Sequence, residues 1–333
     1  MDSTFNYKIF ADCGAPSLYN KLSRKTGDRG IMGSSFKNRK YDSFSYTETA
    51  EYDEYRTAYI TFLKKHKHQI TTYSNLDVIN NPDLTYRNQL TLEAQGLNPI
   101  PVFHIGSNLK WLRKLLRKYE YIALGGLVPN TTAVLIPLLD RLFKEELLDS
   151  NGLPKVKLHG FACTSIPLML RYPWYSVDSA TCRKLAGYGS IVIPNFTQKK
   201  LIPVQISSRD TPLRYKFTEG LLNSFNTLME KHGTNTFNLS TLEADRMTWN
   251  YLMYSLIIQK SVPNWPWSFS TRKQINPTNE LMCFYFAGAY HLEKEVFLWN
   301  TLKDKGIDNL KGRLQSFFYR TSLEATIKLK YTK

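Results

Sequence analysis

The chain has only four cysteines in 333 residues, Cys13, Cys163, Cys182 and Cys283, and they lie far apart. That spacing excludes a disulfide-stapled scaffold and contains no CxxC or Cys/His pattern for zinc, so four reduced thiols are expected and no metal is assigned. No apolar run approaches the ~18 residues of a membrane-spanning helix. The first residues, MDSTFNYKIF, do not have the charged and apolar regions of a secretion signal. A soluble, cytoplasmic protein with no membrane partner is the expectation. Internal repeats and low-complexity segments are also missing, which excludes solenoids and disordered tracts.

Acidic charge is scarce as well. Against 44 Lys and Arg stand 28 Asp and Glu, a net charge of +16. An excess of this size points to a polyanionic partner, although no single basic tract dominates. Aromatic residues are plentiful at 14%, with 21 Tyr and 18 Phe, and 42% of residues are hydrophobic. The chain is therefore long and apolar enough to build a sizeable core.

From Tyr7 to Asn195 short apolar runs alternate with amphipathic segments. YKIFADCG ends near Asp12 and, after a polar loop, EYDEYRTAYITFLKKHK has helical spacing. TTYSNLDV ends at Asp77, and a helix from Pro82 to Gln95 stops at Gly96. PIPVFHIG, YIALGGLV, KVKLHGFACTS, YPWYSVDS and YGSIVIPN continue the series. Strands alternating with helices imply a parallel sheet, and this many units favour a (β/α)8 TIM barrel. Residues 1–200 would form its catalytic body. Residues 201–333 would supply barrel closure and a helical C-terminal region that contacts the polyanionic partner. KKLIPVQISS offers either a hairpin or the closing strand, and the stretch from Glu280 to Lys333 reads mainly as helix. SVPNWPWSF cannot be helical, with Pro263 and Pro266 so close together. Its Trp265 and Trp267 are candidates for stacking on a base or for wedging a duplex, or for the core.

In such a barrel the C-terminal strand ends converge on one pocket. Read in order they carry Asp12, Asp77, His104, Gly125 and Gly126, His159 and Gly160, and Asp178. Any one of these Asp residues could be a helix cap; three at equivalent ends invite a chemical reading. A divalent ion is one alternative, although no pair has the short spacing of a local ligand motif. Ser or Cys nucleophile chemistry is another, with no partner marked for either histidine. Carboxylate chemistry at a sugar-like centre accounts for more of the set. One carboxylate attacks the anomeric carbon while another moves a proton on and off the leaving group.

The order and wording of these stretches resemble the guanine transglycosylases, which exchange guanine for a 7-deazaguanine. ADCGAPS stands where the tRNA enzymes have TDSGGFQ, and NLDVINNP where they have an FDE-like stretch. GGLVPN, HGFA and SVDS fall where they have GGLAVGE, an MGVG-type strand and FDCV. The resemblance covers about residues 5–195. It implies that Asp178 is the nucleophile at C1′ and Asp12 the general acid/base. Asp77 would accept hydrogen bonds from the base, with Gly125 and Gly126 letting the backbone approach it.

There are departures. Pro16 stands where the family stacks a Phe on the base, His104 where it has a Gln, and His159 where it has a Met. His104, His159 and Gly160 would then tune the pocket to a different 7-substituent. The family's CxCxxC…H zinc module has no counterpart, and KLHGFACTS…RYPWYSVDSATCRKLAGYGSIVIP is similar to DpdA-like DNA guanine transglycosylases, some of them bacteriophage-encoded. The implied partners are DNA and a 7-deazaguanine base such as preQ0, with no cofactor; a phage protein would work in the host cytoplasm. A duplex base must be flipped out to reach such a pocket. The loop Arg24–Lys40, with Arg24, Lys25, Arg29, Lys37, Arg39 and Lys40, is the candidate grip on phosphates. Base exchange on tRNA, a nucleic-acid-binding barrel without catalysis, and a hydrolytic glycosidase are the competing readings.

Overall fold

Short runs of aromatic and β-branched residues form the strands, and polar caps start the helices that follow them. In the computed structural model, residues 8–25, 44–68, 70–79, 81–163, 165–207, 219–261, 265–267, 278–280, 283–287 and 316–320 are described. The strands are β1 (Lys8–Asp12), β2 (Thr72–Tyr73), β3 (Val102–His104), β4 (Tyr121–Gly125), β5 (Lys157–Gly160), β6 (Ser176–Ser179), β7 (Ser190–Asn195), β8 (Lys200–Gln205), β9 (Trp265–Trp267), β10 (Thr278–Glu280), β11 (Cys283–Ala287) and β12 (Ser316–Arg320). Helices Ala50–His66, Pro82–Ala94, Leu109–Leu116, Thr132–Leu142, Ile166–Arg171 and Thr181–Gly187 fall between or after the first six strands. The starts obey capping chemistry. The side chains of Thr49, Asn81 and Thr131 accept from the amides of Tyr52, Leu84 and Val134, and Pro82 opens its helix without needing an N–H donor.

The fold is mixed α/β around an eight-stranded sheet in the order β2-β1-β12-β11-β6-β5-β4-β3, with every pairing parallel. Residues flanking β2 and β3, at the two ends of that order, also touch. Ser74 and Ile100 form a parallel bridge, the Asn75 amide donates to the Ile100 carbonyl at 2.9 Å, and the Ile100 amide donates to Tyr73 at 2.8 Å.

Four expectations are corrected. TTYSNLDV is a strand only at Thr72–Tyr73, so Asp77 stands in the loop four residues beyond β2 rather than at its end. YGSIVIPN does not join the parallel sheet. As β7 it pairs antiparallel with β8, from Ser190 opposite Gln205 to Asn195 opposite Lys200. The four residues between them can turn a hairpin but cannot make the long crossover that parallel pairing needs. Of the stretch from Glu280 to Lys333, read as mainly helix, the described residues are strands, with β11 and β12 joining the parallel sheet, and the remainder lies outside the described residues. CFYFA and SFFYR are short aromatic runs, for which fit to a pleated surface outweighs a weak helical period. The polar loop expected after β1 begins as a helix, Ala15–Lys25. The helical part of the C-terminal half is Glu219–Lys231, Thr236–Thr241 and Glu243–Ser261. Trp265 and Trp267 lie in β9, paired antiparallel with β10.

Successive residues of β4, β5 and β6 are buried on both faces, as parallel sheets require. On the helix side, one cluster gathers Tyr52, Tyr55, Tyr59, Leu63, Leu76 and Leu92. A larger one runs from Leu112 and Leu124 through Trp174 to Trp249 and Ile257. A third, small cluster joins Phe10, Ile100, Val102 and Ala123, with Tyr121 and Phe161 packed against it. No described helix is long and apolar enough to cross a membrane.

Candidate active site

Side chains two apart on a strand share a face, and this alternation assembles the site. Phe10, Val102 and Ala123 belong to the small cluster. Two residues further along their strands come Asp12, His104 and Gly125. His159 and Ser176 are register partners on β5 and β6, and Asp178 lies two residues beyond Ser176. One face of the sheet thus changes from apolar to polar and charged toward the strands' C-terminal ends.

Asp178 is 6% exposed. Its Oδ1 accepts the Ala162 amide at 2.8 Å and lies 3.3 Å from His159 Nε2. Ala162 is a non-glycine residue in the left-handed region at φ 53°, a costly conformation held where its amide meets the carboxylate. His159 is fully buried. Its ring stacks on Phe10 at 4.5 Å between centroids and meets Phe161 edge-on at 4.7 Å. Its Nδ1 lies 2.6 Å from Ser176 Oγ, and Ser176 Oγ lies 2.5 Å from the Tyr121 hydroxyl. Burial, and then the charge of Asp178, push the Cys163 thiol up to about 12.

Asp77 and His104 form the second polar group. His104 Nε2 lies 2.8 Å from Asp77 Oδ2, and Cys13 Sγ donates to Asp77 Oδ1 at 2.9 Å. Cys13 is itself pinned: its amide donates to Ser74 Oγ at 2.9 Å and its carbonyl accepts the Tyr55 hydroxyl at 2.6 Å. Burial, followed by the charges of Asp77 and Asp12, raises the Cys13 thiol well above its ordinary value, so it remains a proton donor. Gly125 is required here by packing. A Cβ at this position would sit 2.6 Å from His104 Cδ2 and 3.0 Å from its Nε2. Gly126 takes φ 80°, which favours glycine. At Gly160 a Cβ would press on the Trp174 ring at 3.1 Å and on Cys163 Cβ at 3.2 Å.

Asp12 closes β1 in register with Arg320 of β12. Arg24 and Lys25 are the last two residues of helix Ala15–Lys25, while Arg29, Lys37, Arg39 and Lys40 lie outside the described residues. Among the described residues no cluster of three or more His, Cys, Asp or Glu is arranged to hold a metal ion. Sequence reasoning passed over Cys13, Tyr121, Ala162 and Ser176. The Ser-x-Asp spacing of Ser176 and Asp178 was an available signal, since it puts both on one strand face. The left-handed turn at Ala162 had none. No family model, curated protein or solved structure matches this chain.

Proposed function

We propose that the chain is a DNA guanine transglycosylase, a base-exchanging pentosyltransferase that replaces guanine in DNA with a 7-deazaguanine through a covalent Asp178–nucleotide intermediate. Two observations support closure of the eight parallel strands into a (β/α)8 barrel. The Ser74–Ile100 bridge joins the two ends of the strand order. Phe10 of β1 clusters with Val102 of β3 and stacks on His159 of β5, contacts that a curled sheet brings within reach. In that barrel Asp12, Asp77, His104 and Asp178 share the mouth where barrel enzymes do their chemistry.

The observation that carries the reading is the state of Asp178. It is a nearly buried carboxylate held through Oδ1, on the strand face it shares with Ser176. A helix cap would place its oxygens on helix amides, whereas the first amide of the helix that follows, Thr181–Gly187, donates to Ser179 Oγ and not to Asp178. In the proposed reaction Asp178 forms a bond to C1′ as the C1′–N9 bond breaks. The electron pair leaves with guanine, which takes a proton from Asp12. The incoming base returns a proton to Asp12 as it displaces the carboxylate, and two inversions give net retention. Asp77, with His104 beside it, accepts the N–H groups of the base.

The net charge of +16 is consistent with a nucleic-acid partner. Incubation of the protein with guanine-labelled duplex DNA or tRNA and candidate 7-deazaguanines, followed by mass analysis of the digested nucleosides, tests the proposal. Incorporation into DNA is the expected result. Incorporation into tRNA alone would move the activity to RNA, and release of guanine without incorporation would make the protein a hydrolase.

A further inference from the structure

Resting on that reading of Asp178, we propose that His159 is a positioning residue that donates its Nε2 proton toward Oδ1 and so leaves Oδ2 as the attacking oxygen. The Ala162 amide donates to Oδ1 at 2.8 Å, and no described residue donates to Oδ2. His159 Nε2 lies 3.3 Å from Oδ1, a charge-pair distance without hydrogen-bond alignment that closes into a donor contact as the site takes up substrate. A lone pair that already accepts a hydrogen bond is a poorer nucleophile than a free one, so the two oxygens are made unequal before substrate arrives. Once Oδ2 is esterified to C1′, Oδ1 becomes the carbonyl oxygen. The same two donors then face the atom on which charge builds when the ester is displaced.

The proton position follows from the neighbours of the ring. If Nδ1 alone carried the proton, the Nε2 lone pair would lie beside a carboxylate oxygen 3.3 Å away, a repulsive arrangement. With the proton on Nε2, Nδ1 accepts the Ser176 hydroxyl at 2.6 Å, and Ser176 Oγ accepts the Tyr121 hydroxyl at 2.5 Å. Every donor in that series then points toward Asp178. An imidazolium would also hold Nε2–H on the carboxylate. The ring cannot turn away, because Phe10 stacks on it at an interplanar angle of 15° and Phe161 closes its edge. Tyr121 and Ser176 open β4 and β6, so the series runs from the strands' N-terminal ends up to the nucleophile.

Two measurements test this. Nitrogen-15 spectra of the imidazole rings, with His159 assigned by loss of its signals in His159→Gln, should show the proton on Nε2. A proton on Nδ1 alone would overturn the proposal whatever the protein's activity. The second is single-turnover formation of the covalent DNA adduct at saturating DNA. The Gln amide nitrogen can reach the Nε2 position, while that of Asn reaches only Nδ1. His159→Gln should stay within about tenfold of wild type, and His159→Asn should fall about 10²-fold, the scale of losing one oriented donor. Half-saturation by DNA should not move in either variant. Equal losses in the two variants would make the ring a packing element and sink the proposal. A wild type that forms no adduct would count against the transglycosylase reading, and the nitrogen spectra would still decide the proton's position.

Discussion

Asp77 and Asp178 lie toward the same end of one sheet and are held in opposite ways. Both oxygens of Asp77 are engaged, Oδ1 by the Cys13 thiol and Oδ2 by His104. At Asp178 the Ala162 amide donates to Oδ1, and His159 Nε2 stands 3.3 Å from that same oxygen. A carboxylate gripped at both ends is a fixed, charged acceptor whose remaining lone pairs suit recognition of N–H groups. A carboxylate gripped at one end has a lone pair to spend on carbon. In the proposed reaction the division of labour between binding and bond making would then be set by hydrogen bonds rather than by residue type.

The most severe test of that difference is removal of charge from each side in turn. Asp178→Asn keeps the side chain's shape and Oδ1 but places an amide nitrogen where the attacking oxygen would be. Exchange and the DNA adduct should both fall to background, read on a denaturing gel of enzyme mixed with DNA. An adduct that persists would assign the nucleophile elsewhere, with Asp12 the first to examine. Asp12→Asn comes next in size, at about 10²–10⁴-fold, the usual loss of a general acid/base. Its adduct should still form, slowly, because Asp178 is intact. Asp12 and Asp178 should lie about 5–10 Å apart, the retaining-glycosidase separation widened for a flat base; a crystal structure that puts them on opposite sheet faces would end the scheme.

The ends of β1, β3 and β6 could be read in the sequence because each carries a polar residue after an apolar run, whereas β4 and β5 end in glycine and β2 stops at Tyr73, four residues short of Asp77. The roles of the histidines were less legible. His104 and His159 look alike in sequence, each near the end of a short strand, yet one borders Gly125 and the other is sealed between Phe10 and Phe161. That distinction depends on which strands neighbour each other, and β11 and β12 are inserted between β6 and β1 from more than a hundred residues downstream. Gly125 was read as a close approach for a base, but in the structure it makes room for the His104 ring. A local pattern says that space is needed and cannot say for what.

A smaller effect is expected at Asp77. Asp77→Asn retains an acceptor for the Cys13 thiol and loses the charge that strengthens hydrogen bonds to a base. Hydrogen bonds to charged groups contribute roughly 1.5–3 kcal/mol, so affinity for the incoming base should fall about 10–100-fold with adduct formation on DNA little changed. If both fell together, the two carboxylates would not be doing separate jobs. Gly125→Ala should mimic part of this loss by displacing His104, at a packing cost of about 1–3 kcal/mol visible in thermal unfolding.

The smallest effect concerns the thiol beside each carboxylate. Cys13 donates to Asp77, whereas Cys163 is raised by burial and by the charge of Asp178 without a hydrogen bond to it. Burial raises Cys182 as well. A thiol whose folded pKa exceeds its unfolded value of about 8.5 contributes stability that is complete below that pH. As pH rises further the unfolded chain gains charge while the folded one cannot, so stability declines until the folded thiol ionises. Each of the three should contribute a slope of up to about 1.4 kcal/mol per pH unit above ~8.5, before the buried tyrosines Tyr46 and Tyr59, also raised by burial, begin to act above ~10. Urea unfolding at pH 8 and pH 9.5 measures this, and Cys13→Ser and Cys163→Ser should each flatten the decline by a similar amount. Cys13→Ala and Cys163→Ala then separate the two sites. The first frees Asp77 Oδ1 and should change base affinity by a few-fold, the scale of a weak S–H donor, while the second should leave it unchanged. Equal effects on base affinity would mean that the Cys13 thiol only fills space beside Asp77, and the two carboxylates would differ by one donor fewer than their geometry indicates.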